Sequence, residues 1–317
     1  MAHKVLVSDS ISQAGIDILK GSSKLEVDYA PGLKEDELAA RIVGQEALVI
    51  RSGSKVTKKV IDASTTLKVI GRAGIGVDNV DIPAATAKGI LVMNTPTANA
   101  VTTAEHALAM LFSIARHIPR ATLSMKAGKW EKTAFMGREL NGKTLGILGL
   151  GTIGRLLAAR ARGIGMVPIA HDPYCKPEHA KEAGIPLVGL DELLTRADAI
   201  TSHVVLTNET RGMIGDAQIA KMKKGVLLVN CSRGGIYDEA ALVRGMTSGH
   251  IAGLALDVFE TEPLPKDSPL LALENIALTP HIGASTYEAQ DNTGTEIAQQ
   301  IVAFLLEGKV LNPVNRV

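Results

Sequence analysis

Three side chains suited to binding a carboxylate and moving a proton follow three separate apolar runs in the second half of the chain. Arg233 stands in Val229-Asn-Cys-Ser-Arg-Gly-Gly235, Glu262 in Leu256-Asp-Val-Phe-Glu-Thr-Glu-Pro263, and His281 in Leu278-Thr-Pro-His-Ile-Gly-Ala-Ser285. The chemistry these types serve together is hydride transfer at the hydroxyl-bearing carbon of a 2-hydroxy acid. A guanidinium pairs bidentately with the substrate carboxylate. A histidine, whose ordinary pKa lies near neutrality, takes the hydroxyl proton as hydride leaves. A carboxylate beside that histidine orients the ring and favours its charged form. Each residue alone has a plainer reading: Arg233 as a surface ion pair, Glu262 as an exposed turn residue before Pro263, His281 as a hydrogen-bonded loop histidine. What joins them is their common place after strand-like runs, since open parallel sheets bind ligands outside the carboxyl ends of their strands.

A nucleotide-binding signature lies upstream, in Lys143 to Gly154, K-T-L-G-I-L-G-L-G-T-I-G. Thr144 to Leu148 has the length of a buried strand. Gly149, Gly151 and Gly154 follow with G-x-G-x-x-G spacing, and residues 155–162 contain good helix formers and no breaker. Gly149 allows a tight turn, Gly151 lets backbone approach a pyrophosphate, and Gly154 lets helix pack on strand. The unpaired N–H groups of the first helical turn, Thr152 and Ile153 among them, then face the phosphates. A second apolar run ends at His171 and Asp172, eighteen residues past Gly154. Asp172 is placed to accept hydrogen bonds from an adenosine ribose and to repel a 2′-phosphate, so NAD is expected rather than NADP. The alternatives are a glycine-rich turn in another α/β protein and a Rossmann-like methyltransferase.

These groups need a scaffold, and the composition limits what it is. The 317 residues suggest about two domains. Hydrophobic residues make up 46% and aromatics 3%, so the cores must be built of Val, Ile, Leu and Ala, as in parallel sheets covered on both faces. The net charge of +1, from 34 basic and 33 acidic residues, gives no reason to expect nucleic acid or an anionic membrane as partner. Cys175 and Cys231 have no metal or disulfide spacing, so no metal is expected and a reducing cytoplasm is. No signal peptide is expected, and the longest apolar stretch, 107–115, is too short to cross a bilayer.

The patterning predicts strands at 4–8, 25–29, 47–50, 67–70 and 90–93, alternating with helices at 11–20, 34–43, around Val60, and at 83–88. A helix over 99–117 carries Thr102 and Glu105 as a capping-box pair. A second series of strands follows at 145–148, 167–170, 199–203, 226–230, 253–256 and 276–279. A long helix then opens at Ser285, boxed by Glu288, and runs through Leu306 to Gly308. The fold class is α/β, two Rossmann-like parallel-sheet domains with a cleft between them. Arg51 follows the third strand and Arg72 the fourth; two cations facing that cleft suggest a substrate with more than one negative charge, the alternative being salt bridges within the domain. Glu105 and His106 read as helix surface or interface, His171 and His203 as packing or cofactor wall, and His3, His179 and His250 as exposed.

Several longer runs carry a resemblance: G-R-A-G-I-G-V-D-N-V-D (71–81), G-I-L-V-M-N-T-P (89–96), G-K-W-E-K (128–132), F-M-G-R-E-L (135–140), N-C-S-R-G-G (230–235), A-L-D-V-F (255–259) and P-H-I-G-A-S-T (280–286). With them the chain resembles the D-2-hydroxyacid dehydrogenase family from end to end. Arg51-Ser52, Arg72 and the segment from G-K-W-E-K to F-M-G resemble its phosphoglycerate branch. The resemblance implies a flavodoxin-like substrate domain formed by 1–98 and 285–317, an NAD-binding Rossmann domain over 99–284, and hinges near Ala100 and Ser285. It implies Arg233 as carboxylate anchor, Glu262 as partner of the base and His281 as acid/base. Ile75, Val204, Cys231, Asp257, Gly283 and Ala284 would stand beside the cofactor. Arg51, Ser52, Arg72 and Gly74 would line the substrate, with Ile75 between the two. Lys132 matches a basic position that approaches the phosphate from a neighbouring subunit, in a homodimer built on the helix after Asn99.

The activity implied is hydride transfer between C2 of 3-phosphoglycerate and NAD, giving 3-phosphohydroxypyruvate, in cytoplasmic serine biosynthesis. The alternatives are a reductase of glyoxylate, hydroxypyruvate or another 2-keto acid, and an NAD(H)-sensing binding protein of the same fold. Two departures stand out. Val205 replaces a proline common in the family, which is expected to loosen a cofactor loop, and Thr133 and Ala134 stand where the branch is often more basic. The sequence ends at Val317 without the C-terminal sensing domain of many relatives, so feedback inhibition through such a domain is not expected.

Overall fold

Apolar runs of three to six residues become parallel strands in both halves of the chain. The computed structural model describes residues 2–317, which fall into two compact units. The first comprises the residues up to Asn99 together with Ser285–Val317, the second Ala100–Ala284.

The first unit has five strands: β1 (His3–Val7), β2 (Leu25–Tyr29), β3 (Ala47–Ile50), β4 (Val69–Arg72) and β5 (Leu91–Asn94). They form one parallel sheet in the order β2-β1-β3-β4-β5. Side chains alternate across it, as strand geometry requires. Val5, Val7, Val49 and Val69 pack with Ile16, Leu19, Ile297 and Ile301 on one face. Leu6, Leu48, Ile50 and Ile70 pack with Leu38, Ile42 and Ile61 on the other. Every residue of β3 is fully buried, which explains its unbroken apolar sequence. The helices Gln13–Lys20 and Tyr287–Glu307 lie so close that a methyl on Gly15 would stand 2.6 Å from the Gly294 carbonyl oxygen.

The second unit has six strands: β6 (Thr144–Leu148), β7 (Val167–His171), β8 (Ala199–Ser202), β9 (Val226–Asn230), β10 (Ile251–Leu256) and β11 (Ile276–Leu278). All are parallel, in the order β11-β10-β9-β8-β6-β7, and a single bridge from Ala170 to Leu187 extends the sheet beyond β7. With that bridge counted as a reduced strand, the order is the doubly wound dinucleotide-binding one, and its reversal falls between β6 and β8. Helix Ala100–Ala115 lies against β9 and β10 through Ala104, Ala107, Leu111 and Ile114.

The differences from the sequence expectation have local causes. β4 extends to Arg72, because Gly71 and Arg72 continue the ladder opposite Val49 and Ile50 on one side and Met93 and Asn94 on the other. The helix expected over 99–117 stops at Ala115; His117 turns left-handed (φ 53°) and Pro119 sits in the first turn of a separate helix, Ile118–Lys126. Thr102 therefore lies inside a helix that begins at Ala100 and is not its cap. The last helix is capped by Thr286, not Ser285: Thr286 is extended and its side chain accepts from the Ala289 N–H at 3.1 Å. His3 and His250 are half-buried, bonded to Glu46 and to the Met222 carbonyl.

Candidate active site

The catalytic candidates all sit beyond the carboxyl ends of β9, β10 and β11. After β9, Asn230 shapes the turn that presents Arg233. Its side-chain oxygen accepts from the Ser232 N–H at 3.0 Å and its amide donates to the Arg233 carbonyl at 2.8 Å, an Asx-type turn. Gly234 then lies against the loop after β10, where a methyl would stand 1.8 Å from the Phe259 carbonyl oxygen, so only glycine permits this approach. In that loop Glu262 accepts from the Phe259 N–H through Oε1 at 3.1 Å and meets His281 Nδ1 with Oε2 at 2.8 Å. Glu262, being acceptor-only when ionised, fixes the ring proton on Nδ1. That leaves Nε2 as the ring nitrogen able to exchange a proton.

His281 has φ 54°, a left-handed conformation that a residue with a Cβ rarely holds. Such a residue costs about 1–2 kcal/mol, so its surroundings must enforce it. They do so through Asp257, the first residue after β10 and 1% exposed. Its Oδ1 accepts from the Thr279 hydroxyl at 2.6 Å and from the Ile282 N–H at 2.8 Å, and its Oδ2 from the Gly283 N–H at 2.8 Å. One carboxylate thus binds the turn on both sides of His281. Burial acts to raise the Asp257 pKa. Hydrogen bonds from His106, Thr279, Ile282 and Gly283 outweigh it and hold the carboxyl below the usual carboxylate range. The resemblance implied a cofactor contact for Asp257; the structure gives its carboxylate this inward bonding.

His106 belongs to the same cluster. Its Nε2 lies 3.1 Å from Thr279 Oγ1 and 3.4 Å from Asp257 Oδ1, with the side chain 18% exposed. The ring is therefore bonded within this cluster and is not the helix-surface or interface residue the sequence suggests. The missed signal was weak: a histidine beside the apolar stripe of helix Ala100–Ala115, whose partners lie more than 150 residues away in sequence.

The glycine motif adopts the geometry its spacing predicts. Gly149 has φ 88° and donates its N–H to the His171 carbonyl at 2.9 Å, and a methyl there would meet His203 and Val204 at 2.9 Å. Gly151 precedes helix Thr152–Gly163, no side chain caps that helix, and the space a Gly151 Cβ would occupy is open. A methyl on Gly154 would stand 2.2 Å from the Gly149 carbonyl oxygen, the close helix-to-turn contact expected of the third glycine. The free N–H groups of Thr152 and Ile153 and the open face at Gly151 fit a pyrophosphate. Asp172 follows β7 and ties this loop down, accepting from Leu150 N–H at 2.8 Å and from Tyr174 and Cys175 N–H at 2.9 and 3.0 Å. Its oxygens keep lone pairs for ribose hydroxyls. Elsewhere in this unit, burial pushes the His203 imidazole down to about 4 and the Cys231 thiol up, so neither carries charge near neutrality. Val205 is exposed, yet its carbonyl accepts from Thr210 Oγ1 at 2.6 Å, and that hydroxyl also takes the Thr207 N–H, so the loop is tied without the family proline.

In the first unit, Arg51 follows β3 and Arg72 ends β4. The loop Arg51–Ser54 is held by Asp9, which follows β1: its Oδ2 accepts from the N–H groups of Arg51 at 2.6 Å and Ser54 at 3.0 Å. Asn79 donates to the carbonyls of the same two residues. Ser52 is exposed between them. Asp9 escaped the sequence reading, although an acid after β1 beside β3 stands where this sheet order reverses. Gly74 is left-handed (φ 139°), its carbonyl accepts from Thr95 N–H, and the Ile75 carbonyl accepts from the Asn94 amide. In the second unit, Lys132 is exposed at the start of the 3₁₀ turn Lys132–Phe135, and Gly283 and Ala284 follow the turn that carries His281. Among the described residues, no three His, Cys, Asp or Glu side chains are grouped to hold a metal, and no helix is long and apolar enough to cross a membrane.

Comparison with known proteins agrees with the fold. Residues 108–283 match the NAD binding domain of the D-isomer specific 2-hydroxyacid dehydrogenases. The chain is 49% identical over 312 residues to a D-3-phosphoglycerate dehydrogenase of Archaeoglobus fulgidus, covering 98% of this chain and 59% of that one. It is 50% identical to the human D-3-phosphoglycerate dehydrogenase, covering 98% and 58%. The chain therefore spans about three fifths of the length of these relatives. Among solved structures, a glyoxylate reductase of Paecilomyes thermophila aligns with a TM-score of 0.90 at 32% identity, over 99% of this chain and 98% of that one. A D-lactate dehydrogenase of Aquifex aeolicus complexed with NAD and lactic acid aligns with a TM-score of 0.81 at 30% identity, over 98% and 99%.

Proposed function

The chain belongs to the D-isomer specific 2-hydroxyacid dehydrogenase family, and from that premise we propose that it interconverts 3-phosphoglycerate and 3-phosphohydroxypyruvate with NAD, the step that opens the phosphorylated route to serine. The observation that carries the reaction class is the 2.8 Å contact of His281 Nδ1 with Glu262, at the strand ends that also present Arg233. The Gly149–Gly154 loop and Asp172 would hold the dinucleotide, which would supply or accept the hydride. In oxidation, neutral His281 takes the C2 hydroxyl proton at Nε2, and Glu262 stabilises the imidazolium that forms. In reduction, the same Nε2–H protonates the carbonyl oxygen. Arg233 anchors the C1 carboxylate, which fixes the reacting carbon relative to His281.

The phosphorylated substrate is favoured by the 49–50% identity to D-3-phosphoglycerate dehydrogenases, against 32% to the glyoxylate reductase. We assign the phosphate to Arg51 and Arg72, with Ser52 and the Gly74–Ile75 backbone beside them, and Lys132 acting from a second subunit. A homodimer is supported by the large apolar side chains exposed between residues 101 and 136, among them Leu123, Met125, Trp130 and Met136. Arg51→Ala and Arg72→Ala are expected to raise KM for 3-phosphohydroxypyruvate about ten- to hundredfold, as loss of a charge-assisted hydrogen bond does. Steady-state kinetics with glyoxylate should show little change. Equal losses on both substrates would return the reading to a reductase of small keto acids.

A further inference from the structure

We propose that His106 is a positioning residue, whose Nε2–H locks the Thr279 hydroxyl onto Asp257 and so holds the turn that presents His281. The bonding directions force this arrangement. Thr279 Oγ1 has one proton and lies 2.6 Å from the Asp257 carboxylate, an acceptor, so the proton points there. Its lone pair must then accept at 3.1 Å, and His106 Nε2 supplies the donor. The ring therefore carries hydrogen on Nε2 and also points it toward Asp257 Oδ1, 3.4 Å away.

His106 covers the turn as well as bonding to it. A methyl on Gly283 would stand 2.9 Å from Asp257 Oδ2 and 3.6 Å from His106 Cδ2, so the ring closes over the residue two beyond His281. The platform is rigid: helix Ala100–Ala115 packs on β9 and β10, and a donor on a packed helix holds its direction better than one on a loop. The left-handed His281 sits between the three groups Asp257 binds, at Thr279, Ile282 and Gly283. Release of Thr279 frees one side of that turn, and the imidazole then departs from the geometry that proton transfer needs. His106 reaches no reacting atom and acts only through Thr279 and Asp257.

Two substitutions of similar bulk separate bonding from packing. His106→Leu fills the space without a donor; His106→Gln keeps a terminal N–H donor. The readouts are hydrogen–deuterium exchange of the peptide covering 279–284 and steady-state NADH oxidation with 3-phosphohydroxypyruvate. In His106→Leu, exchange over 279–284 is expected to rise while that of β9 is unchanged, and kcat to fall about tenfold with KM for NADH preserved, as loosened positioning predicts. His106→Gln should recover most of both. Thr279→Val should reproduce the leucine variant, and the double variant should be no worse than either single one. Wild-type exchange and kcat in His106→Leu, or equal impairment in His106→Gln, would overturn the proposal. The kinetic arm rests on the assignment of proton transfer to His281. A wild-type chain inert toward every 2-keto acid would refute that assignment, whereas the exchange arm would still decide for or against His106.

Discussion

His281→Ala should lower kcat by about 10²–10⁴-fold, the range general acid–base catalysis contributes, with NADH affinity held within about a factor of two. In its proposed role as acid/base, His281 has Nδ1 committed to Glu262 at 2.8 Å, which leaves Nε2 for the proton transfer proposed. It belongs neither to the Gly149–Gly154 loop nor to Asp172, the groups proposed to hold the pyrophosphate and the adenosine ribose. Alanine also keeps the bonds that hold the left-handed turn, because those from Asp257 do not involve the side chain at 281. Single-turnover kinetics together with NADH fluorescence titration separate the two quantities. Parallel loss of NADH binding and turnover would make the histidine part of the scaffold.

Asp257→Ala should cost the most stability of any single change near the site. It strands two backbone N–H groups and one hydroxyl that are now bonded to a carboxylate 1% exposed. One of the three bonds is buried and two are part-buried, so at about 1–3 kcal/mol for each fully buried group left unsatisfied a loss of roughly 3–5 kcal/mol is expected. For a unit of this size that lowers Tm by about 10 °C. The pH dependence gives an independent signature. The Asp257 pKa is depressed in the fold. Its stabilisation is therefore full above the ordinary carboxylate range and lost as pH falls through the depressed value, below about pH 4. The His203 imidazole, pushed down to about 4 by burial, acts at higher pH. The unfolded chain binds that proton first, so stability declines as pH falls from the unfolded histidine value toward 4. Denaturation curves of wild type and Asp257→Ala should share the histidine limb, and the variant should lack the carboxylate limb. Identical acid limbs would show that Asp257 is not the group responsible.

Much of this site was legible because parallel strands are buried on both faces and end abruptly in polar residues. The runs ending before Arg233, Glu262 and His281 could be read without any knowledge of pairing, and so could the glycine turn after β6. The residues that escaped act across sequence rather than along it. Asp9 meets Arg51 and Ser54 across neighbouring strands, and His106 meets Thr279 across a helix–sheet packing. Neither contact has a periodicity that marks it. Local ambiguity explains the rest. Ser285 and Thr286 are both good caps, and the extended backbone at Thr286 selects between them. The apolar pattern of helix Ala100–Ala115 runs on past its end, and the left-handed His117 stops it.

Whether the protein selects a phosphorylated substrate is decided by NADH oxidation with wild-type protein and 3-phosphohydroxypyruvate, hydroxypyruvate and glyoxylate in parallel. For the phosphorylated keto acid kcat/KM should be at least about tenfold higher, the effect of one further charge-assisted contact. Equal or higher values for the small keto acids would contradict it, leaving the His281–Glu262 chemistry in place and removing the phosphate from Arg51 and Arg72.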